Sequence, residues 1–148
     1  MNRDRTDAPG KDDKEEPMGS RRAIRTNQAP AAIGPYSQAI WDETAGMLFC
    51  SGQIGIDPAR GELVPGGVLP ECRQALRNCA ALLEAAGLTL GDVVRVTLFL
   101  ADMQDFAAAN VLYAEAFTEP FPARSTVAAA GLPKGARVEI ECTALARP

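Results

Sequence analysis

Hydrophobic and polar positions alternate in several short stretches of the chain, and hydrophobic positions recur every three to four residues in two longer ones. Alternation is typical of half-buried strands, and the longer spacing is typical of amphipathic helices. Together with a β-branched run after Pro122, the alternation predicts six strands, at residues 23–26, 36–41, 47–52, 93–100, about 124–127 and 137–145. The helical spacing predicts two helices, at residues 69–86 and 102–117, and turn residues predict a loop over residues 57–67.

The order of these elements, β-β-β-α-β-α-β-β, predicts an α+β fold with one mostly antiparallel sheet of about six strands and two helices on one face. Side chains alternate between the two faces of a strand. On this basis we expect Arg124, Thr126 and Glu139 on the side that the helices leave open, a kind of face that often becomes a subunit interface. In the strand predicted at residues 93–100, the alternation places Val94 on one face together with Val96, Leu98 and Leu100. It places Val93 on the opposite face.

Charge divides the chain into two parts. Residues 1–22 hold six basic and six acidic side chains, and the remainder carries the whole net charge of -4. We predict a disordered charged tail over residues 1–21, in which Met18 is a possible alternative start, and a single domain over residues 22–148. The acidic body argues against nucleic acid as a partner.

Cysteine and histidine usage restricts the possible chemistry. The four cysteines form no Cys-x-x-Cys motif, and we expect free, buried thiols in a reducing cytoplasm. The chain has no histidine, which excludes histidine-assisted nucleophiles and histidine metal sites. No apolar run is long enough for a signal peptide or a membrane span, so no membrane partner is expected.

Five residues are candidates for function, and each has a structural alternative. No acidic residue lies within ten residues after Arg124, so its guanidinium is suited to binding the carboxylate of a ligand. Alternatively, Arg124 lies on the surface and its aliphatic stem covers apolar area. Glu139 either orients a water or belongs to a solvated acidic stripe. Asn110 either contacts the ligand or forms a structural hydrogen bond to a backbone group. Tyr36 either forms the wall of a pocket or belongs to the core. Gly52 either allows the backbone to approach a ligand closely or permits a bend in the strand.

The motifs that hold these residues resemble the reactive-intermediate deaminases of the Rid/YjgF family over roughly residues 22–147. The resemblance covers five motifs in the same order, at residues 29–39, 51–54, 102–106 with Asn110, 121–125 and 138–142. It implies a fold similar to chorismate mutase and a homotrimer with active sites between subunits.

The resemblance also implies a role for each candidate residue. Arg124 would bind the substrate carboxylate and Glu139 would position water, while Tyr36, Gly52 and Asn110 would contribute to substrate binding. Thr126, also assigned to the substrate site, stands where cysteine is frequent in the family.

The implied activity is hydrolysis of 2-imino acids, released by PLP-dependent dehydratases, to 2-oxo acids and ammonia, with no cofactor and no metal. The alternative is a non-catalytic trimer that senses small carboxylic acids. A ribonuclease activity, attributed to some members, is disfavoured by the acidic body and the absence of histidine. The side chain of the preferred substrate stays open.

Overall fold

The computed structural model describes residues 20–148. It contains eight strands and two α-helices within that range: β1 (Arg21–Ile24), β2 (Ala39–Asp42), β3 (Met47–Ile54), β4 (Ile56–Asp57), β5 (Glu62–Leu63), α1 (Val68–Ala85), β6 (Val93–Leu100), α2 (Phe106–Ala116), β7 (Ala123–Ala128) and β8 (Val138–Leu145). Short 3-10 turns precede β6, α2 and β8. The predicted tail lies outside the described residues except for its end, where Arg21 already belongs to β1.

Six strands form the main sheet in the order β1-β2-β3-β8-β6-β7. All neighbours are antiparallel except β6 and β7, which α2 connects as a crossover. The predicted α+β fold is therefore confirmed. One prediction was incomplete: part of the predicted loop over residues 57–67 contributes to a small separate hairpin of β4 and β5.

The core lies between the sheet and the two helices. The helical spacing of α1 is matched by burial at Cys72, Leu76, Cys79 and Leu83, and this face of α1 packs against β3 and β8. The helix ends where Gly87, at φ 77°, adopts the left-handed conformation. Cooperative burial of many small aliphatic residues stabilises this face of the sheet.

Local irregularities shift three of the predicted strand details. Tyr36 precedes β2 and is not part of it, and β3 continues beyond Gly52 to Ile54. In β6 the pairing with β8 changes register near its start. As a result Val93 is buried and Val94 is 42% exposed, the opposite of the grouping that strict alternation predicted.

The prediction that Arg124 and Thr126 lie on the open face with Glu139 was wrong. In the parallel register of β6 and β7, Arg124 is opposite Val96 and Thr126 is opposite Leu98. Both partners are fully buried beneath the helices. Arg124 and Thr126 therefore lie on the helix side of the sheet, because a strand pattern specifies which residues share a face but not which face it is.

Candidate active site

Arg124 lies against the helical stripe of α2 that the three-to-four spacing of the sequence predicts, which consists of Phe106, Asn110, Tyr113 and Phe117. Its Nη1 donates a hydrogen bond to Asn110 Oδ1 at 2.9 Å. Its Cζ lies 4.5 Å from the ring centroid of Tyr113 and 5.6 Å from that of Phe106. These three residues occupy positions i, i+4 and i+7 of one helical face, so one stripe of α2 holds the guanidinium by one hydrogen bond and two cation–π contacts.

No carboxylate neutralises Arg124 within the part of the chain that the structure describes. The ion pairs found there join Arg60 to Glu62, Arg137 to Asp105, and Arg147 to Asp92. Arg124 is only half-buried, and Asn110 occupies one donor of a group that carries five. The remaining donors suit an anionic ligand held by two parallel hydrogen bonds.

Glu139 lies on the opposite face of the sheet, directly against the backbone of β3. A Cβ atom built on Gly52 would lie 2.9 Å from Cδ of Glu139 and would overlap its carboxylate. Only glycine permits this approach without moving the glutamate. Burial raises the pKa of the Glu139 carboxyl, and the charge of Glu141 adds to the increase.

Glu139 and Gly52 line a cavity of about 620 Å³ together with Tyr36, Ile33 and Lys134. Tyr36 is 51% exposed, so it forms a wall of the cavity and is not a core residue. The hydroxyl of Ser51 donates to the carbonyl of Ser37 at 2.6 Å, which ties the segment of Tyr36 to the strand that carries Gly52.

Two buried amides that the sequence analysis did not identify organise this region. Gln38 accepts from the backbone N–H of Thr26 at 2.9 Å and donates to three carbonyls, those of Thr26, Ala29 and Pro30. Asn78 of α1 donates to the carbonyls of Ile54 and Ile56. The sequence signal for Asn78 is an amide beside the apolar stripe of a helix. For Gln38 it is an amide in the strand predicted at residues 36–41, next to a proline-rich loop.

The structure thus divides the predicted site residues into two groups. Arg124, Asn110 and Thr126 form the arginine half-site on the helix side, although no described contact joins Thr126 to the other two. Tyr36, Gly52 and Glu139 form the glutamate half-site on the open side. The side chain of Asn110 accepts a hydrogen bond from the candidate arginine, and Tyr36 faces a cavity and does not fill the core.

The two half-sites of one chain are far apart. Glu139 is opposite Phe99 in β6, and Arg124 is opposite Val96, three residues away along the same strand. This offset is about 10 Å along the strand, and the two-strand separation from β8 to β7 adds about 10 Å across it. Because the side chains also point to opposite faces, one small molecule does not reach both within a single chain.

The cysteines take no visible part in either half-site. All four are free and buried, as predicted. Burial raises the pKa of the Cys72 thiol to about 11, while the nearby charge of Arg73 opposes the increase. Within residues 20–148 no cluster of three or more metal-binding side chains occurs, and neither helix has the length and apolar character to cross a membrane.

Comparison with known proteins gives consistent matches over the whole domain. Residues 26–146 match the family model described as Endoribonuclease L-PSP. A 2-iminobutanoate/2-iminopropanoate deaminase of Capra hircus is 52% identical over 128 residues, which cover 86% of this chain and 92% of that protein. The protein of the same name from Escherichia coli K12 is 47% identical over 129 residues, covering 85% and 98%. The crystal structure of E. coli TdcF with bound serine is 41% identical, with a TM-score of 0.78 and coverage of 85% and 99%.

These matches confirm the family that the five motifs indicated. The family model spans most of the chain, and relatives with about half of their residues identical are covered almost completely. The chain therefore belongs to the Endoribonuclease L-PSP family, which is the Rid/YjgF family of reactive-intermediate deaminases.

Proposed function

We propose that this protein hydrolyses small 2-imino acids to 2-oxo acids and ammonia. The observation that carries the proposal is the guanidinium of Arg124, which α2 holds without a carboxylate partner in the described chain. A fixed planar cation with unused donors is suited to the carboxylate that every 2-imino acid carries. The names of the Capra hircus and E. coli relatives agree with this substrate class.

Arg124 binds the carboxylate in this proposal and fixes the position of the imine carbon. A charge-assisted contact of this type contributes roughly 1.5–3 kcal/mol. Asn110 holds the guanidinium, and Thr126 lies beside it on the same face of β7. Because 2-imino acids hydrolyse in water unaided, orientation of the substrate and of one water supplies much of the required acceleration.

Glu139 activates the water. Its raised pKa makes the ionised carboxylate a better proton acceptor than an exposed glutamate. The water oxygen bonds to the imine carbon as the C=N π bond breaks, and the proton that Glu139 takes from the water is returned to the nitrogen, which gives a carbinolamine. The carbinolamine hydroxyl then loses its proton to Glu139 as the C=O bond forms and the C–N bond breaks, and this proton leaves with the nitrogen, so that the products are a 2-oxo acid and ammonia. Gly52 and Tyr36 complete the space around the reacting carbon.

A homotrimer with active sites between subunits reconciles this chemistry with the separation of the two half-sites. A substrate that contacts Arg124 and Glu139 together needs the arginine half-site of one copy and the glutamate half-site of another. The open face supports assembly, because Phe49, Val127 and Leu145 are each between 42% and 45% exposed there. Exposed apolar area of this kind indicates a subunit interface.

Three further observations bear on the proposal. The four free thiols fit a reducing compartment such as the cytoplasm. The bound serine in the TdcF structure supports a small amino-acid-like ligand, and it also keeps open a trimer that binds such ligands without turning them over. The net charge of -4 opposes a ribonuclease activity.

The deciding experiment generates imines with an amino-acid oxidase or dehydratase and follows their capture by semicarbazide. We expect the protein to reduce semicarbazide trapping by competing for the imine, and Arg124→Ala to abolish the effect. Equal trapping with and without the protein would refute the activity. Saturable binding of 2-oxobutanoate without hydrolysis of imines would favour the non-catalytic binder instead.

A further inference from the structure

Tyr113 lies beneath the guanidinium of Arg124 and is the aromatic residue closest to it in the described chain. The Cζ-to-centroid distance is 4.5 Å for Tyr113 and 5.6 Å for Phe106. In the sequence, Tyr113 is one member of the mostly apolar stripe of the second helix, and in the structure it is 5% exposed. The contact with Arg124 adds a role that the stripe did not indicate.

A single hydrogen bond does not fix the plane of a guanidinium at the end of a long flexible side chain. Arg124 has one, to Asn110, and rotation about that bond would point the other donors in many directions. A ring stacked at 4.5 Å removes this freedom, because cation–π attraction favours a guanidinium over the ring face. The ring of Phe117 packs against that of Tyr113, with centroids 4.5 Å apart, but it makes no described contact with Arg124.

The ring and the hydroxyl of Tyr113 contribute differently. The hydroxyl is buried and has no hydrogen-bond partner among the described residues, so it does not hold Arg124. Burial raises the pKa of Tyr113, although the charge of Arg124 opposes this, so the residue is a neutral phenol at physiological pH. The part of Tyr113 that acts on Arg124 is therefore the aromatic ring.

We propose that Tyr113 is a positioning residue for carboxylate recognition: its ring fixes the plane of the Arg124 guanidinium, so that the donors not bonded to Asn110 face the substrate. The inference rests on the proposed role of Arg124 as the carboxylate-binding residue. It also predicts that phenylalanine can replace Tyr113 in function whereas an aliphatic residue cannot.

The test compares Tyr113→Leu and Tyr113→Phe, with Phe117→Leu as the matched control. Phe117 is equally buried and packs against Tyr113, but it makes no described contact with Arg124. We measure the Kd of 2-oxobutanoate by calorimetry, kcat and KM for imine hydrolysis, and the Tm. Calorimetry needs no turnover, so a wild type that binds but does not hydrolyse refutes the proposed activity without affecting the test of Tyr113.

We expect Tyr113→Leu to raise Kd and KM about five- to tenfold with kcat nearly unchanged, the pattern of lost uniform binding. Tyr113→Phe stays within about twofold of wild type in Kd and does not lower the Tm, since it removes a hydroxyl without a partner. Phe117→Leu lowers the Tm about as much as Tyr113→Leu but leaves Kd within about twofold.

Three outcomes would overturn the inference. The first is an equal increase in Kd for Phe117→Leu and Tyr113→Leu, which would indicate general damage to α2. The second is a loss of affinity in Tyr113→Phe as large as in Tyr113→Leu, which would assign the effect to the hydroxyl. The third is a wild type that does not bind 2-oxobutanoate, because the guanidinium would then have no carboxylate to receive.

Discussion

Side chains of α2 position Arg124, whereas the position of Glu139 depends on a missing side chain, that of Gly52. The arginine half-site consists of one hydrogen bond and two aromatic contacts along a helix. In the glutamate half-site a carboxylate lies where a Cβ atom would otherwise be. Substitutions that remove side-chain atoms should therefore disrupt the arginine half-site, whereas substitutions that add atoms should disrupt the glutamate half-site.

The two half-sites also differ in how their surroundings support them. The arginine half-site lies on the buried side of the sheet, where the helix core fixes α2. The glutamate half-site lies on the open side, beside a loop that Gln38 holds through hydrogen bonds to its backbone. Assembly of identical chains is the simplest way to bring one beside the other, and it leads to the prediction with the largest effect.

Mixing two inactive variants should restore activity if each active site combines two chains. Arg124→Ala and Glu139→Gln each remove one half-site and are expected to be inactive alone. After joint unfolding and refolding, random assembly gives both intact half-sites at about a quarter of the interfaces. We therefore expect imine hydrolysis to recover from background to about a quarter of the wild-type rate.

The control for this recovery is the double variant with both substitutions in one chain, refolded together with wild type. Every interface between a double-variant chain and a wild-type chain lacks one half-site. Only the interfaces between two wild-type chains therefore contribute activity. If the two single variants regain nothing although they form mixed trimers by mass spectrometry, the two half-sites do not act together across an interface.

Arg124→Lys tests whether the arginine half-site needs a planar fork or only a charge. Lysine retains the charge but loses the bidentate geometry, and it does not match the contacts with Asn110 and Tyr113. We expect kcat/KM to fall by about 10- to 100-fold, as the loss of about 1.5–3 kcal/mol implies. Steady-state kinetics with semicarbazide competition measure the change. Wild-type kcat/KM in this variant would contradict the assignment of Arg124.

Much of the arginine half-site could be predicted from the sequence, because it depends on helical spacing. Phe106, Asn110 and Tyr113 formed one predicted stripe, and the structure places all three against Arg124. The side of the sheet could not be predicted, since alternation is identical for both faces. What determines the side is the parallel pairing of β7 with β6, a long-range contact that leaves no local pattern.

The glutamate half-site was less visible in the sequence. Gly52 and Glu139 were candidates for separate reasons, but their contact arises from the register of β3 and β8, which is irregular between Cys50 and Gln53. Such a bulge is not encoded by any spacing of apolar residues. The roles of Gln38 and Asn78 could not be predicted from the sequence, because a structural amide is recognised by its hydrogen-bond partners. Those partners are mostly backbone carbonyls that only the folded chain brings close.

Gly52→Ala tests the dependence of the glutamate half-site on empty space. The added methyl group would displace the carboxylate of Glu139, and we expect kcat to fall about tenfold with a smaller change in KM. Because the displaced atoms are the end of a flexible side chain, the Tm should change by no more than about 2 °C. Gly131→Ala is the matched control, since a Cβ atom there meets nothing within 4 Å. Equal kinetics for the two alanine variants would contradict the close approach.

The pH dependence of the rate should show a smaller effect that separates Glu139 from its neighbour Glu141. Activation of water requires an ionised Glu139, so kcat rises as pH increases through a pKa that burial and Glu141 raise. Glu141→Gln removes the second cause and should shift the acidic limb to lower pH. The control is Glu84→Gln at an exposed position of α1, which should leave the acidic limb of the pH profile at the same pH.

The same raised pKa makes an independent prediction about stability. A carboxyl whose pKa is higher in the folded state stabilises that state at low pH, where it is protonated, and this contribution is lost as pH rises through the folded pKa. The glutamine side chain of the Glu139→Gln variant cannot ionise, so this variant does not lose that stability as pH rises. Its Tm relative to wild type should therefore increase as pH rises from the acidic range toward neutrality. A difference in Tm that is constant over this range would show that the pKa of Glu139 is the same in the folded protein and in the unfolded chain.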